Sequence, residues 1–168
     1  MTRARDLAAG TFELATGGVL KLETSDTTVT DGSVLGKIEF KAPDEASGTD
    51  ANLTAAAIEA VAEGTFAADN NATELVFKTG ASAAADAKMT LTSGGDLLVG
   101  KSVTTFANNG IALKSSGETN ITRNDGVPVY IRRNTSDGDI VQFWKDGTAV
   151  GSIGSRAGVA SYIVLDPR

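Results

Sequence analysis

The side chains best suited to acid–base chemistry in this chain of 168 residues are its carboxylates. Two closely spaced pairs are Glu59 with Glu63 and Asp137 with Asp139. Glycosidases use two such carboxyl groups, one as a general acid and the other as a base or nucleophile. The chain holds 21 acidic residues, so pairs at this spacing also arise by chance. We therefore predict no catalytic residues and no enzymatic activity.

Histidine and cysteine are both absent from the sequence. Their absence removes the commonest general base, the thiol nucleophile, the Ser-His-Asp triad and the preferred ligands of zinc. Residues 136–139 offer oxygen atoms to a calcium ion, but they fall well short of a complete calcium loop, so an ordinary turn is the simpler prediction. We expect no metal site and no cofactor.

One aromatic cluster stands out in the sequence, formed by Trp144, Phe143 and Tyr130. If it is exposed, it offers a platform on which a glycan can stack, and Trp144 and Tyr130 are then candidate contacts for a glycan or receptor. If it is buried, it is the core where three chains meet. We favour the core, because large aromatic side chains usually supply burial.

A small basic cluster consists of Arg123, Arg132 and Arg133. Guanidinium groups suit sulfated or acidic glycans, so Arg132 and Arg133 are also candidate contacts for a glycan or receptor. Ion pairs with acids such as Asp125 and Asp137 are the simpler expectation for these side chains.

The composition indicates that one chain alone buries little apolar surface. Aromatic residues make up 5% of the sequence and there are 19 glycines, so little apolar area is available to offset the chain entropy lost on folding. We expect partner chains to complete the core. The net charge of −6 disfavours binding to nucleic acid or to anionic membranes. We also expect no membrane insertion and no export through a signal peptide, because no apolar run is long enough for either.

Short runs rich in β-branched and aromatic residues alternate with turn residues, which predicts an all-β fold. Asn-Gly and Asp-Gly pairs suit the positive φ angles of tight hairpin turns; they occur at residues 109–110, 125–126, 137–138 and 146–147. The predicted strands are residues 36–40, 74–78, 89–92, 97–99, 111–114, 127–133, 140–145, 148–153 and 159–165.

Two segments leave the helix content open. Residues 51–63 are rich in alanine and lack glycine and proline, so their propensity favours a helix capped by Asp50. Residues 6–9 are a second place where one short helix can start. The division into modules is predicted as an N-terminal attachment segment at residues 1–17, a β-rich module at 18–100 and a distal β-module at 101–168. We find no internal repeat at a fixed period.

Several patches of the chain resemble the tail-fibre and tail-spike proteins of bacteriophages. In the order found in that family they are residues 36–40, 58–66, 73–80, 88–100 and 143–154. The resemblance covers residues 30–168 in patches and implies an elongated homotrimeric β-fibre of the virion, whose N-terminal end faces the particle. It also implies that residues 56–65 form a strand and not a helix. In relatives, the chain continues past a segment like residues 161–168 into a C-terminal intramolecular chaperone domain. Here that domain was released by self-cleavage, belongs to a longer product, or is not needed.

The resemblance predicts a structural virion protein involved in host attachment, with other virion proteins and a host surface glycan as partners. A head fibre or decoration protein of the capsid is the first alternative, and a polysaccharide depolymerase spike is the second. A bacterial adhesin is disfavoured because no export signal is recognised. The residues that we expect to face neighbouring chains are Ile131, Phe143, Val150, Ile153 and Val164.

Overall fold

The described part of the chain consists almost entirely of antiparallel β-structure. The computed structural model describes residues 16–42 and 50–157, and the backbone of residues 159–165. These residues contain ten β-strands, one 3₁₀ turn at Asp50–Asn52 and no α-helix. The all-β prediction is confirmed, whereas the helix considered at residues 6–9 lies outside the described residues. The chain divides into two compact units, residues 1–122 and 123–168.

The larger unit is a seven-stranded antiparallel sheet in which the strands follow one another in chain order. Neighbouring strands along the chain are therefore also neighbours in space, and every pairing is local. The strands are β1 (Val34–Phe40), β2 (Ala56–Ala62), β3 (Thr73–Thr79), β4 (Asp86–Leu91), β5 (Leu97–Val99), β6 (Gly110–Leu113) and β7 (Thr119–Thr122).

The alanine-rich segment is a strand, as the resemblance implied, and not the helix that its propensity favours. Strand β2 pairs with β1 on one side and β3 on the other, and Ile58 lies directly opposite both Ile38 and Phe77. Pairing on both edges satisfies its backbone groups and places large apolar side chains beside one another. Such tertiary contacts override intrinsic helix propensity, which is a weak preference.

The connection around residue 100 joins strands of the same sheet. Strands β5 and β6 pair directly, with Leu98 opposite Ala112. The predicted division between residues 100 and 101 therefore falls inside the larger sheet, and the compact units divide between Thr122 and Arg123.

The smaller unit is a three-stranded antiparallel sheet of β8 (Gly138–Lys145), β9 (Thr148–Arg156) and β10 (Val159–Leu165), with β9 in the centre. Asp146 and Gly147 connect β8 to β9 with φ angles of 48° and 78°. Two consecutive residues with positive φ are the signature of a type I′ turn, whose twist matches that of the strands. The predicted Asp-Gly hairpin is confirmed here.

One strand prediction was wrong, and one strand was not predicted. Residues 127–133 are irregular and exposed, not a strand. Pro128 lacks the N–H group that a ladder needs, and β-branched residues on both sides of it do not supply a partner strand. Conversely, Thr119–Thr122 was not predicted but forms β7, which pairs with β6 over four residues.

Two hairpin turns of the larger sheet have the same hydrogen bonds, at residues 92–96 and 114–118. In each turn the first residue donates its N–H to the carbonyl of the fifth, at 3.0 and 2.8 Å, and the fourth donates to the carbonyl of the first, at 3.0 and 2.9 Å. The fourth residue is Gly95 or Gly117, with φ angles of 84° and 91° that other residues rarely adopt. Turn geometry thus repeats, although we predicted no sequence repeat.

Carboxylates join successive connections at this end of the larger sheet. Glu63, directly after β2, accepts a hydrogen bond from the N–H of Ser93 at 3.0 Å. Asp96 accepts one from the N–H of Ser115 at 2.8 Å. Each carboxylate therefore binds the backbone of the next hairpin turn, which fixes the turns against one another.

Replacing Asp96 with alanine should destabilise the larger sheet. The N–H of Ser115 would lose a charged acceptor, and the loss should be about 1 kcal/mol in the free energy of unfolding because the site is exposed. Asp96→Asn keeps an acceptor oxygen and should retain most of the stability. Urea unfolding at a fixed protein concentration measures both variants, with Asp69→Ala as a control for an exposed carboxylate. Equal midpoints for Asp96→Ala and Asp69→Ala would show that the contact does not stabilise the turn.

Candidate functional site

One face of the larger sheet carries two apolar rows that cross all its strands. Residues directly opposite one another in paired strands point to the same face, so the register assigns each side chain to a face. We call this surface the apolar face. Its first row is Ile38, Ile58, Phe77, Met89, Val99, Ile111 and Ile121. Its second row is Gly36, Ala60, Leu75, Leu91, Leu97, Leu113 and Thr119.

The apolar face is largely uncovered in the single chain. Phe40 belongs to the same face of β1 and is 54% exposed, and six further members are 36–43% exposed: Ile38, Leu75, Leu91, Val99, Ile111 and Leu113. These seven side chains alone leave on the order of 500 Å² of apolar surface in solvent, which is as large as the largest patch on a typical monomer. Contiguous patches of this size mark interaction surfaces.

The opposite face of the same sheet, which we call the polar face, carries most of the buried side chains of the sheet. One row across it consists of Lys37, Glu59, Val76, Thr90, Leu98, Ala112 and Asn120. From Glu59 to Asn120 every member of this row is at most 8% exposed. Apart from Val76 and Leu98, the side chains in this row are small or polar, whereas most of the large apolar side chains of the sheet lie on the apolar face. This arrangement reverses the one expected of a soluble monomer.

The carboxylates considered for catalysis each have a structural partner. Glu59 forms a half-buried ion pair with Lys78 at 2.6 Å, and Glu63 binds the Ser93 turn. Asp137 accepts hydrogen bonds from the hydroxyl of Ser155 and the N–H of Ala157. Among the residues that the structure describes, no group of three or more acidic side chains is placed to hold a metal ion.

The faces of the smaller sheet separate the aromatic cluster. Val141 lies opposite Ile153 and Phe143 opposite Gly151, so these residues share one face. The side chain of Trp144, next in the strand, points to the other face, with Gln142. Phe143 is 49% exposed and Trp144 is 61% exposed in the single chain. Phe143 therefore suits the predicted core, and Trp144 suits the predicted glycan platform.

A chain of hydrogen bonds holds Trp144 in place. Its indole N–H donates to Oε1 of Gln142 at 3.1 Å, and Nε2 of Gln142 donates to Oδ2 of Asp139 at 2.9 Å. The hydroxyl of Ser152 donates to the other Asp139 oxygen at 2.8 Å. The bonds from Gln142 and Ser152 stabilise the carboxylate and lower the pKa of Asp139 below its usual value. We call Trp144, Gln142, Asp139 and Ser152 the tryptophan network.

The other candidate contact residues lie outside the tryptophan network. Tyr130 is 80% exposed, and Arg132 is exposed in the same irregular segment. Arg133 donates to the carbonyl and hydroxyl of Ser136 at 3.0 and 3.2 Å and to the carbonyl of Asp139 at 3.2 Å. Its guanidinium group therefore organises the loop that leads into β8.

Of the residues predicted to face neighbouring chains, three are exposed in the single chain. Ile131 is 57%, Phe143 49% and Val150 38% exposed, while Ile153 is half-buried. The side chain of Val164 lies outside the described residues.

Sequence reasoning missed both the apolar face and the tryptophan network. A signal for the apolar face was present, since most strands of the larger sheet carry large apolar residues two positions apart, as in Leu75 and Phe77 or Ile111 and Leu113. No sequence signal links Asp139 to Gln142, because their contact spans a β-bulge between Asp139 and Val141.

Comparisons with known proteins do not identify a family for this chain. No family model, no curated protein and no solved structure matches the chain. Among the described residues, none of the helical segments has the length and apolar character that crossing a membrane requires.

Neutralising Glu74 should stabilise the larger sheet at neutral pH. Burial, with the charges of Glu63 and Asp31, raises the pKa of Glu74 above its usual value. Ionisation of Glu74 therefore destabilises the fold, and this penalty disappears as the pH falls below the unfolded-state pKa of about 4.3. Glu74→Gln should raise the Tm at pH 7 and leave it unchanged near pH 3.

The matched control is Glu118→Gln, for which the sign reverses. Hydrogen bonds from Lys114 and Ser116 lower the pKa of Glu118, so its ionised form stabilises the fold and the contribution is lost as the pH falls through the folded-state pKa. This variant should lower the Tm at pH 7. The same direction of change in both variants at pH 7 would contradict the electrostatic assignment.

Proposed function

We propose that the chain is a structural component of a bacteriophage virion, a homotrimeric tail fibre or tail spike that takes part in host attachment. The observation that carries the proposal is the apolar face, which the single chain leaves in solvent. A surface of this kind is completed by another copy of the same chain when the protein is a closed oligomer. The resemblance of residues 30–168 to tail-fibre proteins supports the assignment to a virion, the number of chains and the part in host attachment.

The dimensions of the apolar face suit an interface between copies. Each row has one residue per strand, so across seven strands at a spacing of about 4.8 Å it runs for about 29 Å. Its exposed apolar area approaches the ~800 Å² per partner of a standard stable interface once the half-buried members are included. The apolar face supports the proposal that identical copies meet, while the number three comes from the resemblance.

The proposed mechanism is mechanical and multivalent. Three identical chains present three copies of each weak contact, and several fibres on one particle multiply the avidity. The assembled particle would carry a charge of −18, three times the −6 of one chain, which favours solubility. An apolar face would suit a head fibre or capsid decoration protein equally well, and immunogold labelling of whole particles distinguishes these positions.

A charge placed on the apolar face should disrupt the assembly. We expect light scattering to give three times the 17.1 kDa mass of one chain, unchanged on dilution. Ile111→Asp would bury a carboxylate between copies and should yield smaller species. The control Ala87→Asp adds the same charge to an exposed site in β4, on the polar face beside Lys78, and should leave the mass tripled.

Circular dichroism shows whether each variant keeps its β-structure. A folded wild-type protein that stays at 17.1 kDa at micromolar concentration would refute the trimer. If Ile111→Asp keeps the same mass as Ala87→Asp, the apolar face is not the interface.

Removing residues 1–17 should separate attachment from assembly. Residues 1–15 lie outside the described residues, and the first strand of the larger sheet begins at Val34. The truncated protein should therefore keep its fold and its mass but fail to join virions. Incorporation into particles is measured by complementing a phage that lacks the protein. Normal incorporation of the truncated protein would contradict an attachment function for these residues.

A further inference from the structure

The side of the smaller sheet that carries Trp144 has a different composition from the side that carries Phe143. Val141, Phe143 and Ile153 form an apolar side, and the tryptophan network forms the other. If assembly covers apolar sheet faces, as the proposed function requires, Phe143 becomes buried and Trp144 stays in solvent. The inference below rests on the proposed function in this respect alone.

The indole of Trp144 is oriented before any ligand arrives. Its N–H is already bound to Gln142, yet the side chain is 61% exposed. A large aromatic ring that is fixed and open to solvent offers a flat apolar surface at little further cost in side-chain entropy. The C–H-bearing face of a sugar ring is a ligand surface of matching shape and polarity.

Polar groups surround this aromatic surface on the same side of the sheet. Gln142 keeps a second amide hydrogen and Asp139 keeps free lone pairs after their internal bonds are made. These groups can donate to and accept from sugar hydroxyls. A binding site of this type combines one apolar platform with a few fixed polar groups.

The tryptophan network favours a neutral ligand over an acidic one. Asp139 is ionised at neutral pH, and no member of the network is cationic. The guanidinium of Arg133 keeps its charge, but its N–H groups donate to Ser136 and to the carbonyl of Asp139, not to the network's side chains. An acidic or sulfated group placed against the network would meet the Asp139 carboxylate and no cation of the network, contrary to the expectation from the arginine cluster.

We propose that Trp144 is a solvent-facing stacking platform for a neutral glycan, and that Gln142, Asp139 and Ser152 fix its orientation and bind the sugar hydroxyls. The platform occurs once per chain, so an assembled trimer presents three.

Trp144 is the single tryptophan of the chain, so its fluorescence reports directly on the site. In the assembled protein, acrylamide should quench it efficiently. Titration with dextran, mannan and galactan as neutral probes should change the emission with at least one of them, whereas heparin should not.

Calorimetry with the responding polymer should show at least tenfold weaker binding for Trp144→Ala and measurable weakening for Gln142→Ala. Phe106→Ala, which removes a 65% exposed aromatic outside the network, should bind as wild type.

Light scattering on the same samples gives the oligomeric state, so the glycan platform and the trimer are tested independently. A trimer in which acrylamide does not reach Trp144, or in which none of the neutral polymers binds, would overturn the glycan platform and leave the assembly intact. Binding of heparin alone, or undiminished binding by Trp144→Ala, would overturn it as well. Neutral-polymer binding by a monomer would support the platform and refute the trimer.

Discussion

Register between paired strands is the constraint on which the apolar face depends. Because side chains alternate, a shift of one residue would move a strand's apolar residues to the other face. A single bulge in β4 sets the register here: Lys78 pairs with Ala87 and Phe77 with Met89, so that Lys88 has no opposite residue. If the pairing continued from Ala87 without the bulge, Lys88 would lie opposite Phe77 and Met89 opposite Val76, so Met89 and Leu91 would point to the polar face. Both apolar rows would then be interrupted at β4. The bulge therefore keeps the rows continuous.

The same constraint explains why one chain gains little from its own core. Leu98 is the largest fully buried side chain described, and the other buried apolar residues are Ala57, Ala62, Val76 and Ala112. Small side chains contribute little apolar area, at about 25 cal/mol per Å². Nδ2 of Asn120 is also buried without a hydrogen-bond partner, which costs further free energy. Within the strands of the larger sheet, most of the large apolar side chains lie on the apolar face, so covering that face would stabilise the sheet further.

The fold could be predicted better than the site. Residue types within a short segment indicate a strand, whereas the face that a side chain takes depends on pairing with other strands. Hairpins such as that at Asp146 and Gly147 follow from turn chemistry alone. Residues 127–133 had the right composition but lacked a partner strand, and Thr119–Thr122 had a partner but little apolar character. The tryptophan network depends on the β-bulge between Asp139 and Val141, and no residue type in that segment indicates a bulge. The separation of Phe143 from Trp144, in contrast, follows from their adjacency, since neighbours in a strand point to opposite faces.

Both sheets carry large apolar side chains on one face and hydrogen-bonded polar groups on the other, although they belong to different compact units. In the larger sheet the polar groups are buried and structural, as in the pair of Glu59 and Lys78. In the smaller sheet the polar groups are exposed. They hold Trp144 in place and keep hydrogen-bonding groups that their internal bonds do not use. A polar network on a paired strand is better fixed than one on a loop. If the chain assembles as proposed, weak binding at each of the three copies is sufficient, because the second and third contacts form at a high effective concentration.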